Sequence, residues 1–146
     1  MKVINILTHP IVLIASFLLI IISGRAFGGF YFFYLTVGLA GGHIHSLLGF
    51  AGAIGLVLSN QVKQNSIMLK YTIRILSALL LAGSIYAFFT NDRDHYNFGT
   101  FYQTVPQVML ALFAFVWIAF LLKQVVLFIR VAGKSNANTA GQIRHE

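Results

Sequence analysis

The stretch GLAGGHIHSLLGFAGAIG, Gly38 to Gly55, places six glycines and two histidines in an otherwise apolar part of the chain. At about 100° per residue of an α-helix, most of these glycines fall on one side. In lipid, small residues let helix backbones approach closely, so that a row of them favours helix–helix packing. We therefore predict a helix-packing seam made of Gly38, Gly41, Gly42, Gly49 and Gly52.

The two histidines point in nearly opposite directions if the helix is regular, because His43 lies about 200° from His45. Ionisable side chains inside a membrane span are rare and mark functional sites. The candidate ligand or polar site consists of His45, His43, Ser46 and Thr36. In one interpretation a neutral imidazole hydrogen-bonds a backbone carbonyl or a serine of another helix; the candidate serines are Ser16, Ser77 and Ser84.

In the other interpretation both histidines hold one ligand. That arrangement requires an unwound helix near Gly41 and Gly42, like the broken helices that form ligand sites in transporters. Because only His45 shares the glycine face, we expect His45 rather than His43 to be buried between helices.

The composition predicts a membrane protein. The chain has 146 residues, of which 58% are hydrophobic and 9% are charged, whereas soluble domains carry about 25% charged residues. A bilayer needs about 20 apolar residues per spanning helix. The predicted fold class is all-α: a polytopic membrane protein with a four-transmembrane-helix bundle over residues 1–132. Its spans are about 4–24, 30–59, 68–89 and 105–129.

Two of these spans have irregular features. Residues 30–59 would form a helix about 45 Å long, so we expect it to tilt, protrude or break, with the break at Gly38, Gly41 and Gly42. In the first span, Pro10 lies either in the first turn of a helix capped by Thr8 or at a kink. We interpret this span as a retained helix, because no small-x-small cleavage site precedes Arg25. Residues 133–146 are expected to form a flexible tail.

The orientation follows from the basic residues, which accumulate in cytoplasmic loops. With four spans, eight Lys and Arg residues lie on the side of both termini and two on the other side. The eight are Lys2, Lys63, Lys70, Arg74, Lys123, Arg130, Lys134 and Arg144, and the two are Arg25 and Arg93. We therefore predict an integral protein of a bacterial inner membrane with both termini in the cytoplasm. The net charge of +7 is assigned to anionic lipid rather than to nucleic acid.

Several classes of function are disfavoured by what the sequence lacks. It has no cysteine, and its only acids are Asp92, Asp94 and Glu146, outside the predicted spans. Cation-coupled transport usually needs a carboxylate inside the membrane, and no constellation for nucleophilic or acid–base catalysis is present. No metal site is predicted. A haem b remains a candidate cofactor, although it would need a ligand from a second chain or a non-histidine ligand, because mid-membrane histidines occur in the second span alone.

These observations favour a non-catalytic integral membrane subunit that packs with itself or with partner membrane proteins through its glycine-rich second helix. The main alternative is a homo-oligomeric channel or small-solute transporter lined by that helix. The second alternative is a haem- or quinone-binding membrane subunit of an oxidoreductase. The bilayer is a partner in all three cases.

Overall fold

The computed structural model describes residues 2–24, 28–63, 66–91 and 96–143, with side chains from residue 4 to residue 133 within these ranges. Most of this part is helical. The helices are α1 (Lys2–Leu7), α2 (Pro10–Leu18), α3 (Tyr31–Ala40), α4 (Ile44–Leu58), α5 (Ile67–Thr90) and α6 (Thr104–Ile143), with a short 3-10 helix at Phe98–Phe101. Two short strands, β1 (Ile21–Ser23) and β2 (Gly28–Phe30), depart from the all-α expectation.

Two helices are long and apolar enough to cross a membrane. They are α5, with a mean hydropathy of 1.7, and the Thr104–Gly133 part of α6, with a mean hydropathy of 2.4. The pair α3–α4 adds a third candidate if the two helices together form one span, but they are bent by 114° at their junction. Two or three candidate spans indicate an integral membrane protein. They are one or two fewer than the four spans predicted from the sequence.

The first predicted span, 4–24, is not one continuous helix. Pro10 occupies the first turn of α2, and the imidazole Nδ1 of His9 accepts a hydrogen bond from the Ile11 amide at 3.3 Å, so His9 rather than Thr8 caps this helix. The helix ends at Leu18, before a run of isoleucines whose branched side chains favour extended backbone. The run forms β1, in which Ile21 pairs with Phe30 of β2.

The second predicted span, 30–59, is broken where the glycines predicted it, between Ala40 and Ile44. The third agrees closely with α5. The fourth agrees with α6, which extends beyond it to Ile143, so the expected flexible tail is helical as far as that residue. Residues 25–27, 92–95 and 144–146, which include Arg25, Arg93 and all three acids, lie outside the described part.

The core lies where α2, α3, α4, α5 and α6 meet. Phe17, Tyr31, Leu81 and Phe120 are fully buried there. Helix α5 packs along α4 on one side and α6 on the other, and the indole N–H of Trp117 donates to the Ala78 carbonyl at 2.7 Å. This packing fixes α4, and with it the histidines.

Polar contacts hold the N-terminal segment against α6 at two places far apart along the chain. One is on α6 itself, and the other is in the residues just before α6. Lys123 Nζ donates to Thr8 Oγ1 at 2.8 Å and to Asn5 Oδ1 at 3.0 Å. The Ser23 amide donates to Thr100 Oγ1 at 2.9 Å, just before α6 begins. The segment between Thr8 and Ser23 therefore runs alongside most of the hydrophobic length of α6.

Candidate functional site

The junction between α3 and α4 is built on glycines. The amide of His43 donates to the Gly38 carbonyl at 2.8 Å, and the amide of Gly42 donates to the Leu39 carbonyl at 3.1 Å. Gly42 has φ +68°. These two bonds with a left-handed residue between them form a Schellman motif, the usual glycine-dependent end of a helix. Helix α3 therefore stops here, and α4 starts afresh in another direction.

The two histidines are neighbours in space, contrary to the regular-helix expectation. His43 is the N-cap of α4 with extended backbone (φ −71°, ψ 135°), so the helical angle between it and His45 does not apply. Their rings lie nearly parallel, with an interplanar angle of 17° and centroids 5.5 Å apart. The unwound junction thus brings the imidazoles to the same side.

The histidines differ in burial. His45 is 9% exposed, and its ring lies T-shaped against Phe88 with the centroids 5.2 Å apart. His43 is exposed. His45 is therefore buried between α3 and α5, next to Gly38 and Phe88, whereas His43 faces outward.

Ser46 occupies the space that Gly38 leaves open. A Cβ atom on Gly38 would lie 2.7 Å from His45 Nε2 and would also collide with Ser46 Oγ. Ser46 is fully buried, and within the described part of the chain its hydroxyl has no hydrogen-bond partner. An unpaired buried hydroxyl is costly, and that of Ser46 is the one such side-chain atom among the described residues.

The seam positions separate into two groups. Gly49 lies between α3 and α5, where an added Cβ would be 2.7 Å from Leu35 Cδ2 and 2.9 Å from Ser84 Oγ. Gly52 lies against α5, where an added Cβ would be 2.8 Å from the Ser77 carbonyl oxygen. Gly55, outside the predicted set, also lies there, against Ser77 Oγ. Its spacing of three residues from Gly52 is the signal that would have found it.

The other group belongs to the junction. Gly42 has nothing within 4 Å of an added Cβ, and the closest atoms to one on Gly41 belong to His43 at 3.0 Å. These two glycines turn the chain instead of packing a helix, which corrects their place in the predicted seam. Thr36 is exposed, and its hydroxyl donates to the Phe32 carbonyl within α3, away from the histidines.

A hydroxyl network behind the histidines was not anticipated from the sequence. Ser84 Oγ donates to the backbone carbonyl of His45 at 2.6 Å, and Tyr31 Oη lies 3.1 Å from the Ser84 carbonyl oxygen. Ser84 was a candidate partner for the imidazole, but it binds the main chain instead. Tyr31 belongs to the aromatic run FYFFY, whose composition does not distinguish it from its neighbours.

The junction lies within the length of α5 but toward one of its ends. Ser84, which binds the His45 carbonyl, is 17 residues or about 25 Å from the first residue of α5 and about 9 Å from its last. Residues 39–44 are nonetheless exposed on the surface of the chain. An apolar groove of about 450 Å³ lies between β2 and α3. It is lined by Gly28 and Gly29 of β2 and by Phe33, Tyr34 and Val37 of α3.

Within the described residues, no group of three or more His, Cys, Asp or Glu side chains could hold a metal ion. Comparison of the chain with known protein families, with curated proteins and with solved structures gave no match.

Proposed function

We propose that this protein is a non-catalytic subunit of a membrane assembly, in which a second copy or a partner membrane protein covers the α3–α4 junction. The observation that carries the proposal is the exposure of residues 39–44 near the level of Ser84, which is about 25 Å from one end of α5 and about 9 Å from the other. Non-helical backbone at membrane depth is tolerated only where protein buries it or water fills a cavity beside it. The described part of the chain provides no such cover for Gly41, Gly42 and His43.

Four crossings account for the polar contacts at the two ends. Thr104 to Lys123 spans about 28 Å of α6. The nine helical residues of α2 contribute about 13 Å, and the four residues from Ile20 to Ser23 add up to about 13 Å. This first segment, α4, α5 and α6 would then cross, while α3 lies at a steep angle to them. Both termini fall on one side, the cytoplasmic side of a bacterial inner membrane by the distribution of basic residues.

The glycine-rich second helix was expected to pack against the partner, but its glycines pack within the chain. Gly49 and Gly52 pack against α5 of the same chain, so they are not available for a partner. The partner surface is instead the outward face of α3, where Phe33 and Val37 are 59% and 74% exposed, together with His43.

The absence of cysteine from the sequence permits a direct test with single-cysteine variants in native membranes. Ala40→Cys places a thiol at the junction, and Ile54→Cys, on the outward face of α4, is the matched lipid-facing control. A nitroxide attached to either thiol reports its surroundings: oxygen dissolved in the lipid relaxes it at Ile54→Cys, and in an assembly a partner shields it from oxygen at Ala40→Cys. The mass of the particle extracted in native nanodiscs then distinguishes a second copy from a different subunit.

Two other results would change the assignment. Labelling of Ala40→Cys by a membrane-impermeant, water-soluble maleimide would favour the channel or transporter alternative, with water at the junction. Relaxation by lipid-dissolved oxygen equal to that at Ile54→Cys, without labelling by the impermeant maleimide and in a single-chain particle, would contradict both.

Binding of a redox cofactor is the second candidate, favoured by the parallel imidazoles beside the unpaired Ser46 hydroxyl. Two side chains on one face of the junction cannot bind an iron from opposite sides of a porphyrin, so a haem b would need a ligand from another chain. Imidazole and hydroxyl donors suit a quinone carbonyl better. An absorbance spectrum and a quinone extraction of the purified protein test both; a Soret band or one bound quinone per chain would rank this function first.

A further inference from the structure

Arg74 sits at the end of the bundle where α4 and α5 are joined, and neutral groups hold its guanidinium on three sides. Nε donates to Ser59 Oγ at 3.1 Å, Nη2 to Asn60 Oδ1 at 2.8 Å and Nη1 to Gln124 Oε1 at 3.5 Å. Ser59 and Gln124 are 0% and 1% exposed. The side chain is therefore fixed in place rather than free in solvent.

The charge of Arg74 has no counter-ion in the described part of the chain, which contains no Asp or Glu. The carboxyl end of α4 supplies about half an elementary charge of compensation at most. Of the five N–H donors of a guanidinium, the three contacts use three. Two donors and much of the positive charge therefore remain for an oxyanion.

The surroundings add further positive charge. Lys70 precedes Arg74 by one helical turn on α5, and Lys63 lies in the loop that follows Asn60. A guanidinium is suited to bidentate binding of phosphate, and basic pockets between helix ends bind anionic lipid headgroups. We infer that Arg74, held by Ser59, Asn60 and Gln124, binds the phosphate of an anionic lipid headgroup at this end of the bundle.

The test adds a counter-ion in place of the lipid. Asn60→Asp is nearly isosteric and sets a carboxylate on Arg74 Nη2, whereas Gln61→Glu adds the same charge to the adjacent exposed residue. The full chain is placed in vesicles of phosphatidylcholine with phosphatidylglycerol, and retained lipid is counted by native mass spectrometry. Asn60→Asp lowers retention of phosphatidylglycerol about tenfold, and Gln61→Glu lowers it about fivefold at most, the effect of one surface charge.

Equal retention in the two variants, or no preference of the natural chain for phosphatidylglycerol over phosphatidylcholine, would overturn the site. Arg74→Lys keeps the positive charge but loses the planar guanidinium that binds phosphate through two N–H groups. Retention of phosphatidylglycerol at the natural level in that variant would also overturn the site. Inorganic phosphate, added as a competitor, identifies the source of the ligand. A lipid site keeps its phosphatidylglycerol in the presence of an equal concentration of inorganic phosphate. Loss of the lipid under that condition would show a site for free phosphate. Asn60→Asp preserves Arg74 and its other contacts, so misfolding does not obscure the result; an unchanged melting profile verifies this.

Discussion

Ser84 on α5 and His45 on α4 are joined by a hydrogen bond of 2.6 Å from the serine hydroxyl to the histidine main-chain carbonyl. The same hydroxyl lies 3.0 Å from Tyr31 Oη, so three segments of the chain meet at one oxygen. This contact fixes where α4 begins relative to α5, and hence where the two imidazoles lie.

Removing that oxygen should destabilise the bundle. We expect Ser84→Ala to lower the unfolding free energy by about 1–2 kcal/mol, because both Tyr31 Oη and the His45 carbonyl lose a partner. Tyr31→Phe should cost about 0.6 kcal/mol, the average for such bonds in membranes. Unfolding in mixed detergent micelles measures both, and the double variant should be less destabilised than the sum. Strict additivity would show that the two groups do not interact.

Gly52 and Gly83 form a matched pair for testing the seam. A methyl group on Gly52 would lie 2.8 Å from a backbone oxygen of Ser77, which cannot move aside, whereas on Gly83 its nearest neighbour is Leu48 Cδ1 at 3.9 Å. Gly52→Ala should therefore cost about 1–3 kcal/mol of stability by overpacking. Gly83→Ala should stabilise by up to about 1 kcal/mol through helix propensity. Equal melting temperatures for the two variants would argue against close packing of α4 on α5.

Gly42 tests the turn separately from the packing. Its added Cβ would meet no atom, but its φ of +68° is unfavourable for residues with a side chain. Gly42→Ala should cost about 1–2 kcal/mol, and Gly42→Asn less, because asparagine tolerates this conformation. Unfolding of the purified chain should give a stability that falls from the natural chain to Gly42→Asn and then to Gly42→Ala. A tolerated alanine would mean that the helix is continuous through this residue.

The histidines should respond unequally to substitution. His45→Phe forces a larger ring into the buried space between Gly38 and Phe88, so we expect a loss of about 1–3 kcal/mol by overpacking. His43→Phe, at an exposed position, should leave the stability of the isolated chain nearly unchanged. If His43→Phe instead lowers assembly in the membrane without lowering monomer stability, the junction is the partner surface. Equal destabilisation by both variants would contradict the difference in burial.

The orientation can be tested with two further single-cysteine variants. Asn97 follows α5, and Asn136 lies near the end of α6, so four crossings place them on opposite sides. In intact cells an impermeant maleimide should label Asn97→Cys from outside, and Asn136→Cys only after lysis. Labelling of Asn136→Cys in intact cells would reverse the predicted orientation.

Much of the architecture was already encoded in local sequence signals. Length and hydropathy determined α5 and the apolar part of α6, because a helix satisfies its own backbone and needs only apolar side chains in lipid. Glycines at 41 and 42 determined the break in the second span, since only glycine adopts a left-handed backbone at little cost. Burial of His45 followed from its place among the glycines of α4.

Tertiary contacts decided the rest. The first span became part helix and part strand because the Ser23 amide finds Thr100, 77 residues away, and β1 finds β2. His43 lies beside His45 because the junction ends α3 and His43 caps α4. A projection that treats residues 38–55 as one continuous helix cannot predict this. Gly49 and Gly52 turned inward to α5 because Ser77 and Ser84 face them there. Local preferences determine which segments form helices, whereas pairings between distant residues determine how the helices break, bend and face one another.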